Sequence, residues 1–96
     1  MHAVLRTYAG AGAQPLIELL EQRKSEVEEL MRSVSGLVSY TFVRTAEGAV
    51  TVTVCQDKAG TDESVRVARE WTQKNAPNVS ATPPAISEGS VIVHIK

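Results

Sequence analysis

Apolar residues recur along the chain with two different periods, and each period indicates a different kind of element. Residues 2–8 mix apolar and β-branched side chains and run into the small-residue stretch 9–13, which predicts a strand followed by a loop. Residues 16–34 then place apolar side chains at helical spacing, and Pro15 stands where a first helical turn tolerates it. We therefore expect one long helix that ends near Gly36.

The middle of the chain is typical of a β-hairpin. Two β-rich runs, residues 37–45 and 49–56, are separated by Ala46, Glu47 and Gly48. If the last two of these are the turn residues, one side of the hairpin carries compact aliphatic side chains suited to a helix, and the other carries aromatic and polar side chains. The pairs expected across the hairpin are Val43 with Val52, Thr41 with Val54, Phe42 with Thr53 and Tyr40 with Cys55.

A second helix and a last strand follow the hairpin. Thr61 is expected to cap the helix, and residues 75–77 are expected to end it. Residues 76–84 hold three of the four prolines and indicate a loop, after which residues 85–95 predict a final strand bent at Gly89. The buried stripe of this helix is predicted to consist of Val65, Ala68 and Trp71.

The order strand, helix, strand, strand, helix, strand is that of a ferredoxin-like α+β fold, βαββαβ, with a four-stranded antiparallel sheet. Four strands at ~4.8 Å spacing make a sheet about 19 Å wide, and two helices of ~10 Å each cover only one of its faces. The bare face is expected to hold Tyr40 and Phe42, and an exposed apolar face of this kind predicts an interaction surface. We expect a homodimer through this sheet face, which makes the assembly a dimeric α/β barrel.

Length and charge narrow the classes of function. The chain of 96 residues suits one domain, residues 1–96. Ten basic residues against eleven acidic residues leave a net charge of -1, so there is no excess of cations for phosphates or anionic lipid, and neither nucleic acid nor a membrane is expected as a partner. The lone Cys55 and a start without the features of a secretory signal predict a cytoplasmic protein.

Several short motifs, spread over nearly the whole chain, are similar to those of a known protein group. They are the strand Ala3-Val-Leu-Arg6-x-Tyr8, the helix end Gly36-Leu-Val-x-Tyr40, the turn Glu47-Gly48, the helical Ala68-x-x-Trp71 and the closing Gly89-x-Val-x-Val-His94. In these motifs the chain resembles the antibiotic-biosynthesis-monooxygenase-like members of the dimeric α/β-barrel proteins. The resemblance implies a homodimer with a small-molecule pocket between the sheet and the helices. Some members oxidise aromatic polyketides or quinols without metal or flavin, some degrade haem, and many have no known activity.

Trp71 and His94 are the candidate catalytic residues. The resemblance puts Trp71 on the helix where catalytic relatives carry a pocket tryptophan, although the only tryptophan of a small protein is more often part of its core. His94 alternates with apolar residues of the last predicted strand and could accept a proton at neutral pH, or could be exposed or simply hydrogen-bonded.

Arg6, Tyr8, Tyr40 and Phe42 are the candidate ligand-binding residues. Arg6 and Tyr8 share one face of the first strand and could hold an anionic or phenolic ligand by charge-assisted hydrogen bonds, or could be an intersubunit pair and a rim residue. Tyr40 and Phe42 could line a cavity behind the bare sheet face or could be dimer core only.

These residues leave two functions open. In one, the protein binds a small, partly aromatic molecule and oxidises it as a cofactor-independent monooxygenase: Trp71, Tyr40 and Arg6 orient a phenolate, and His94 or a bound water takes its proton. In the other, it is a non-catalytic small-molecule-binding or interaction module. Haem degradation is the less favoured function. Haem-degrading relatives use an Asn in the first strand and a His shortly after the Trp, and this chain has neither. Two histidines and one cysteine show no zinc spacing, and no cofactor is expected.

Overall fold

A computed structural model describes residues 1–10, 12–76 and 84–95 of the chain. Within these residues, a four-stranded sheet and three helices follow each other in an order that confirms the predicted ferredoxin-like α+β arrangement. The strands are β1 (His2–Ala9), β2 (Leu37–Thr45), β3 (Gly48–Cys55) and β4 (Ala85–Ser90), and the helices are α1 (Ala13–Gln22), α2 (Lys24–Arg32) and α3 (Lys58–Asn75).

The sheet is antiparallel throughout, with the strand order β2-β3-β1-β4. The two central strands, β1 and β3, are each followed along the chain by a helix, α1 and α3 respectively. None of the helices in the described part of the chain is long and apolar enough to cross a membrane.

The single long helix predicted for residues 16–34 is wrong, because the structure divides it into α1 and α2 at Arg23. Arg23 has φ −108° and ψ 31°, outside the helical region, and its side chain donates a hydrogen bond to the Asn75 side chain at the end of α3, at 2.8 Å. No residue between Leu20 and Val27 is buried, so no core contact holds the helix axis straight there.

The predicted hairpin register is also wrong, by two residues. Thr45 pairs with Gly48, so Ala46 and Glu47 form the turn and Gly48 is the first residue of β3. Gly48 is required there because a Cβ atom on it would clash with the Tyr8 carbonyl oxygen of β1. The pairs observed are Val43 with Val50, Thr41 with Val52, Phe42 with Thr51 and Tyr40 with Thr53.

The two faces of the sheet are assigned the other way round from the prediction. A shift by two residues preserves the alternation, so Tyr40 and Phe42 still share a face with Thr51 and Thr53. That face lies under the helices, because Tyr40 and Phe42 pack against the core cluster that α1 contributes to. The aliphatic side of the hairpin is the bare one.

We call the bare side the open face. Its strand residues are all small, aliphatic or hydroxylated. Leu5 and Val43 are 40% and 45% exposed, whereas Val54 is buried. They are Ala3, Leu5, Thr7, Ser39, Thr41, Val43, Thr45, Val50, Val52, Val54, Ala85, Ser87 and Gly89. A sheet face that is left in water normally alternates charged and polar residues outward, yet none of these residues carries a charge.

Helix α3 begins earlier than predicted. Asp57, not Thr61, is the capping residue, and its carboxylate accepts a hydrogen bond from the Gly60 backbone N–H at 3.1 Å. Thr61 instead donates to the Lys58 carbonyl inside the first turn. The end of the helix at Asn75 agrees with the prediction.

The predicted stripe of α3 is only half-buried, since Val65, Ala68 and Trp71 are all intermediate in exposure. The residues of α3 that are buried are Gly60, Thr61 and Ser64. They lie at the start of the helix, where it passes over the end of β3 so closely that a Cβ atom on Gly60 would be 2.8 Å from the Cβ of Cys55.

The last strand is shorter than predicted. β4 ends at Ser90, and a further backbone hydrogen bond joins the Val91 N–H to the Met1 carbonyl at 3.0 Å. Residues 91–95 are not a strand, and three of their apolar side chains are strongly exposed: Ile92 at 95%, Val93 at 73% and Ile95 at 88%. The proline-rich loop predicted for residues 76–84 lies mostly outside the described residues.

Candidate functional site

A cleft of about 650 Å³ lies between the helices α1 and α2 on one side and the edge strand β2 on the other. Part of its wall is apolar: it is lined by the buried residues Ile17 and Leu20 of α1, by Val27 and Met31 of α2, and by Phe42 of β2. Tyr40 precedes Phe42 by two residues on β2, so its side chain lies on the same face of the sheet and also lines the cleft. The volume falls within the range of small-molecule sites, and an apolar wall with few polar groups is typical of them.

Charged residues surround the mouth of the cleft and are paired with each other. Arg44 of β2 donates to both carboxylate oxygens of Glu21 on α1, at 2.9 and 3.2 Å, and so bridges the two walls. Arg32 and Glu28 of α2 form a second pair at 2.7 Å. All four side chains are well exposed, so these pairs contribute little to stability.

A buried polar cluster lies on the covered face of the sheet next to this cleft. Arg6 of β1 is only 3% exposed, and its Nε donates to the hydroxyl of buried Thr51 on β3 at 3.1 Å. Thr53, two residues further along β3, is fully buried, and its Oγ1 has no hydrogen-bond partner among the described residues. Tyr40 pairs with Thr53 across the β2–β3 ladder, so the cluster reaches the wall of the cleft at Tyr40.

Burial raises the pKa of the Tyr40 hydroxyl above its ordinary value of 10.0, and the nearby Tyr8 acts in the same direction. The Arg6 guanidinium opposes this rise in pKa, through its charge and through a hydrogen bond with the Tyr40 side chain. Because the net shift is upward, Tyr40 is a neutral phenol at physiological pH, able to donate a hydrogen bond into the cleft.

The structure brings three of the four predicted ligand-binding residues to the cleft or its inner end. Tyr40 and Phe42 line the cleft, and Arg6 contacts Tyr40 from the adjacent central part of the sheet. Tyr8 shares the covered face with them, but its ring is a member of the buried core cluster. All four therefore lie on the helix side of the sheet, whereas Tyr40 and Phe42 were expected on the bare side.

The two predicted catalytic residues are not part of the described cleft. Trp71 of α3 packs against the core cluster from its half-buried position. His94 lies beyond β4, and its Nε2 is buried without a hydrogen-bond partner among the described residues. Neither residue is among those that line the cleft.

Cys55 is fully buried at the end of β3, under the start of α3. Burial raises the pKa of its thiol, and the carboxylates of Asp57 and Glu63 raise it further. A thiol with a raised pKa is a poor nucleophile, so the arrangement is that of a small core residue.

Comparison with known proteins gives matches in structure and none in sequence. No protein-family model matches the sequence, and no curated protein sequence matches it. The monooxygenase from the gene ActVA-Orf6 of Streptomyces coelicolor, in complex with Nanaomycin D, superimposes with a TM-score of 0.63 at 17% identity, covering 99% of this chain and 89% of that one. The chain has the ferredoxin-like fold of the antibiotic biosynthesis monooxygenases.

Two further solved structures also superimpose on nearly the whole chain. The heme-degrader MhuD of Mycobacterium tuberculosis, with two hemes bound in its active site, has a TM-score of 0.66 at 18% identity, covering 99% of this chain and 98% of that one. A dimeric ferredoxin-like protein from an uncultured marine organism has a TM-score of 0.62 at 16% identity, covering 98% and 94%. At such low identities the matches establish the fold alone.

Thr51 and Thr53 are residues next to the cleft that the sequence did not identify as site residues. The run Val50-Thr-Val-Thr-Val54 alternates, and such a pattern normally turns valine to the core and threonine to water. Here the threonines lie under the helices and the valines on the open face. The sequence did contain a usable signal. Thr51 and Thr53 lie on the same face of the hairpin as Tyr40 and Phe42, and aromatic rings tend to be buried, so the threonines beside them should be buried as well.

Proposed function

We propose that the protein binds a small, partly aromatic molecule in the cleft between α1, α2 and β2. The observation that carries this proposal is an apolar cleft of about 650 Å³ whose wall contains Phe42 and the hydroxyl-bearing Tyr40, itself linked to the buried Arg6. Apolar walls supply affinity for an aromatic ring, and a few placed polar groups supply orientation. The complex of the Streptomyces coelicolor monooxygenase with Nanaomycin D supports the same class of ligand.

Titration with 1-naphthol, followed by backbone amide shifts in the NMR spectrum, tests the binding site. We expect shifts at Leu20, Val27 and Phe42, which line the cleft. Phe42→Leu keeps an apolar wall but removes a ring contact, so it should weaken binding about two- to tenfold. Val43→Ala changes the neighbouring residue on the opposite face and should leave the affinity unchanged. Equal effects of the two substitutions, or shifts confined to other parts of the chain, would contradict this site.

For the reaction, we propose oxidation of a phenolic ligand by molecular oxygen without a cofactor. The substrate loses two hydrogen atoms and gains one oxygen atom, and the second oxygen atom leaves as water, so 1-naphthol would give naphthoquinone. Arg6 and Tyr40 would orient the phenolate oxygen, Trp71 would position the ring, and His94 or a water molecule would take the proton. The monooxygenase of the same fold supports this version. The alternative, a binding module without catalysis, is supported by the fact that neither Trp71 nor His94 is among the residues that line the cleft.

Oxygen uptake separates these two versions. Wild-type protein with bound 1-naphthol should consume one O₂ per quinone formed if it is an enzyme, and none above the uncatalysed rate if it is a binding module. His94→Ala should then lower kcat at unchanged KM if His94 is the base, and Trp71→Phe should keep more activity than Trp71→Ala if the ring acts by position. Unchanged turnover of His94→Ala removes His94 from the mechanism.

We further propose that two copies of the chain pair through the open face. Thirteen strand residues of this face include no charged side chain, whereas solvated sheet faces carry them. A net charge of -1 gives little repulsion between two copies, and a dimeric protein of the same fold is known from an uncultured marine organism.

The size of the open face also bears on the proposed dimer. Four strands at ~4.8 Å and about eight residues at ~3.3 Å give a planar area of roughly 500 Å². A stable interface buries about 800 Å² on each partner. The exposed apolar side chains of Ile92, Val93 and Ile95 would supply the rest if the segment after β4 packs on the second copy.

Native mass spectrometry of the intact chain tests the pairing. We expect twice the chain mass at micromolar concentration, and the single-chain mass for Leu5→Lys, which places a charge on the central strand β1 of the open face. Glu29→Lys, an exposed position of α2, should leave the dimer intact as the matched control. A wild-type monomer at that concentration would disprove the pairing but leave the cleft proposal standing.

A further inference from the structure

Arg6 is a buried cation without a buried anion. Arg6 as a whole is only 3% exposed, its Nε donates to the neutral Thr51 hydroxyl, and the neutral Tyr40 hydroxyl lies close enough for the Arg6 charge to affect its pKa. No carboxylate lies within ion-pair distance of it in the described residues, and the residues outside the described ranges contain no Asp or Glu. A buried charge that is left unpaired costs several kcal/mol in a protein interior, so this position is suited to a counter-ion that the chain does not supply.

Thr53 provides the second, independent observation. Its side chain is fully buried, and its Oγ1 makes no hydrogen bond within the described part of the chain. Buried hydroxyl groups nearly always have a partner, and an exception calls for one from outside the chain. Thr53 lies on the same face as Arg6 and diagonal to it across the β1–β3 ladder, because Arg6 pairs with Thr51. The two groups therefore face one region of space.

Arg6, Thr53 and Tyr40 together offer more hydrogen-bond donors than a single ligand oxygen atom can accept. A guanidinium has five N–H donors, of which Nε is bound to Thr51, and the Thr53 and Tyr40 hydroxyl groups can each donate one more hydrogen bond. A phenolate offers one oxygen, whereas a carboxylate offers two oxygens with about four acceptor sites and matches a guanidinium in a bidentate pair. Tyr40 keeps its proton because burial raises its pKa.

We propose that Arg6, Thr53 and Tyr40 form a subsite for the carboxylate group of an aromatic acid whose ring occupies the cleft beside Phe42. The assignment rests on the proposed binding function and names the charged group of the ligand. It places a carboxylate beside Arg6 and Tyr40, where the oxidation version places a phenolate oxygen. The carboxylate compensates the Arg6 charge and accepts a hydrogen bond from Thr53. Of the three subsite residues only Tyr40 lines the cleft, so the carboxylate reaches Arg6 and Thr53 by passing Tyr40.

Affinities for matched probes test the subsite. 1-Naphthoate and 1-naphthamide have nearly the same shape and differ in charge, so we expect naphthoate to bind about tenfold to a hundredfold more tightly to the wild-type protein by calorimetry. Arg6→Met should bring the ratio of the two affinities close to one. Thr53→Val, which replaces the hydroxyl by a methyl group of similar size, should lower the ratio about threefold to tenfold without loss of thermal stability.

Thr41→Val is the matched control, because it makes the same replacement on the open face of β2. It should leave the affinity ratio as in the wild type. If Arg6→Met does not fold, Thr53→Val alone decides, since it removes an unpaired buried hydroxyl and should fold at least as well as the wild type.

Each outcome bears on one of the two proposals. Equal affinities for naphthoate and naphthamide would overturn the carboxylate subsite and leave the cleft proposal intact. Tighter binding of 1-naphthol than of naphthoate would also overturn it, in favour of a phenol at the same place. A ratio that is high in the wild type and unchanged in Thr53→Val would remove Thr53 from the subsite. Binding of none of the three probes would reject both proposals.

Discussion

Gly48 lies against the Tyr8 carbonyl group so closely that a Cβ atom at position 48 would overlap with that oxygen. The contact occurs where β3 starts beside the end of β1, with Gly48 paired to Ala9. This glycine is thus needed for the approach of two strands, and not for the turn that precedes it.

Gly48→Ala should destabilise the protein, because either β1 or β3 must move to admit the methyl group. We expect a loss of about 1–3 kcal/mol in the free energy of unfolding, measured by urea denaturation. Gly89→Ala is the control, since a Cβ atom there meets nothing within 4 Å, and it should change stability by less than about 0.5 kcal/mol. Similar losses for both variants would contradict the close approach as the cause.

Asp57 should be the capping residue that measurably stabilises α3. Its carboxylate satisfies the Gly60 backbone N–H, so Asp57→Ala should cost about 1 kcal/mol of unfolding free energy. Asp57→Ser retains an acceptor and should recover most of this loss. Asp62→Ala removes an exposed partner of Lys58 one turn later and should have a much smaller effect. If Asp62→Ala were the more damaging change, the cap would be misassigned.

Alkaline pH should destabilise the folded chain partly through Tyr40. Because the pKa of Tyr40 is raised in the folded state, the folded protein holds this proton more tightly than the unfolded protein does. Its contribution is therefore complete below the ordinary pKa of 10.0 and is lost as the pH rises above it. The pKa values of Cys55 and Lys58 are raised as well and act in the same direction.

The comparison of wild type with Tyr40→Phe isolates the Tyr40 effect. Unfolding free energies measured from neutral pH to above pH 10.0 should fall less steeply in the variant, since phenylalanine has no proton to lose. Parallel curves for the two proteins would show that Tyr40 ionises as easily when folded as when unfolded.

The Cys55 thiol should be almost inert toward Ellman's reagent at neutral pH. It is fully buried, and its raised pKa leaves little thiolate to react. In denaturing urea the same thiol should react at the rate of a free cysteine peptide. Equal rates in the two conditions would mean that the region under α3 opens easily.

The element order was predictable because strand alternation and helical spacing are local properties of the chain. The first strand and the end of α3 agree with prediction to within a residue, at Ala9 and Asn75. The hairpin register was not predictable in the same way. Gly48 suits a turn on local grounds, and only the neighbouring backbone of β1 shows why glycine stands there.

The site was predictable in its residue types but not in its location. Alternation separates Tyr40 and Phe42 from the valines of the hairpin, but it does not say which set the helices cover. That depends on where the crossovers place α1 and α2, which is a property of the whole chain. The helical residues that line the cleft, including Val27 and Met31, follow the spacing of an ordinary amphipathic helix, so the sequence does not distinguish them from core residues.

The break at Arg23 makes the helical wall of the cleft from two rods joined end to end. A change in the angle between α1 and α2 would alter the width of the cleft without breaking any strand pairing, because β2 pairs only with β3. The hydrogen bond from Arg23 to Asn75 anchors that joint to the far end of α3. We therefore expect a ligand of the proposed class with a bulkier ring to be accommodated by a change of angle at Arg23 rather than by repacking of the sheet, while the polar cluster behind Tyr40 stays in place.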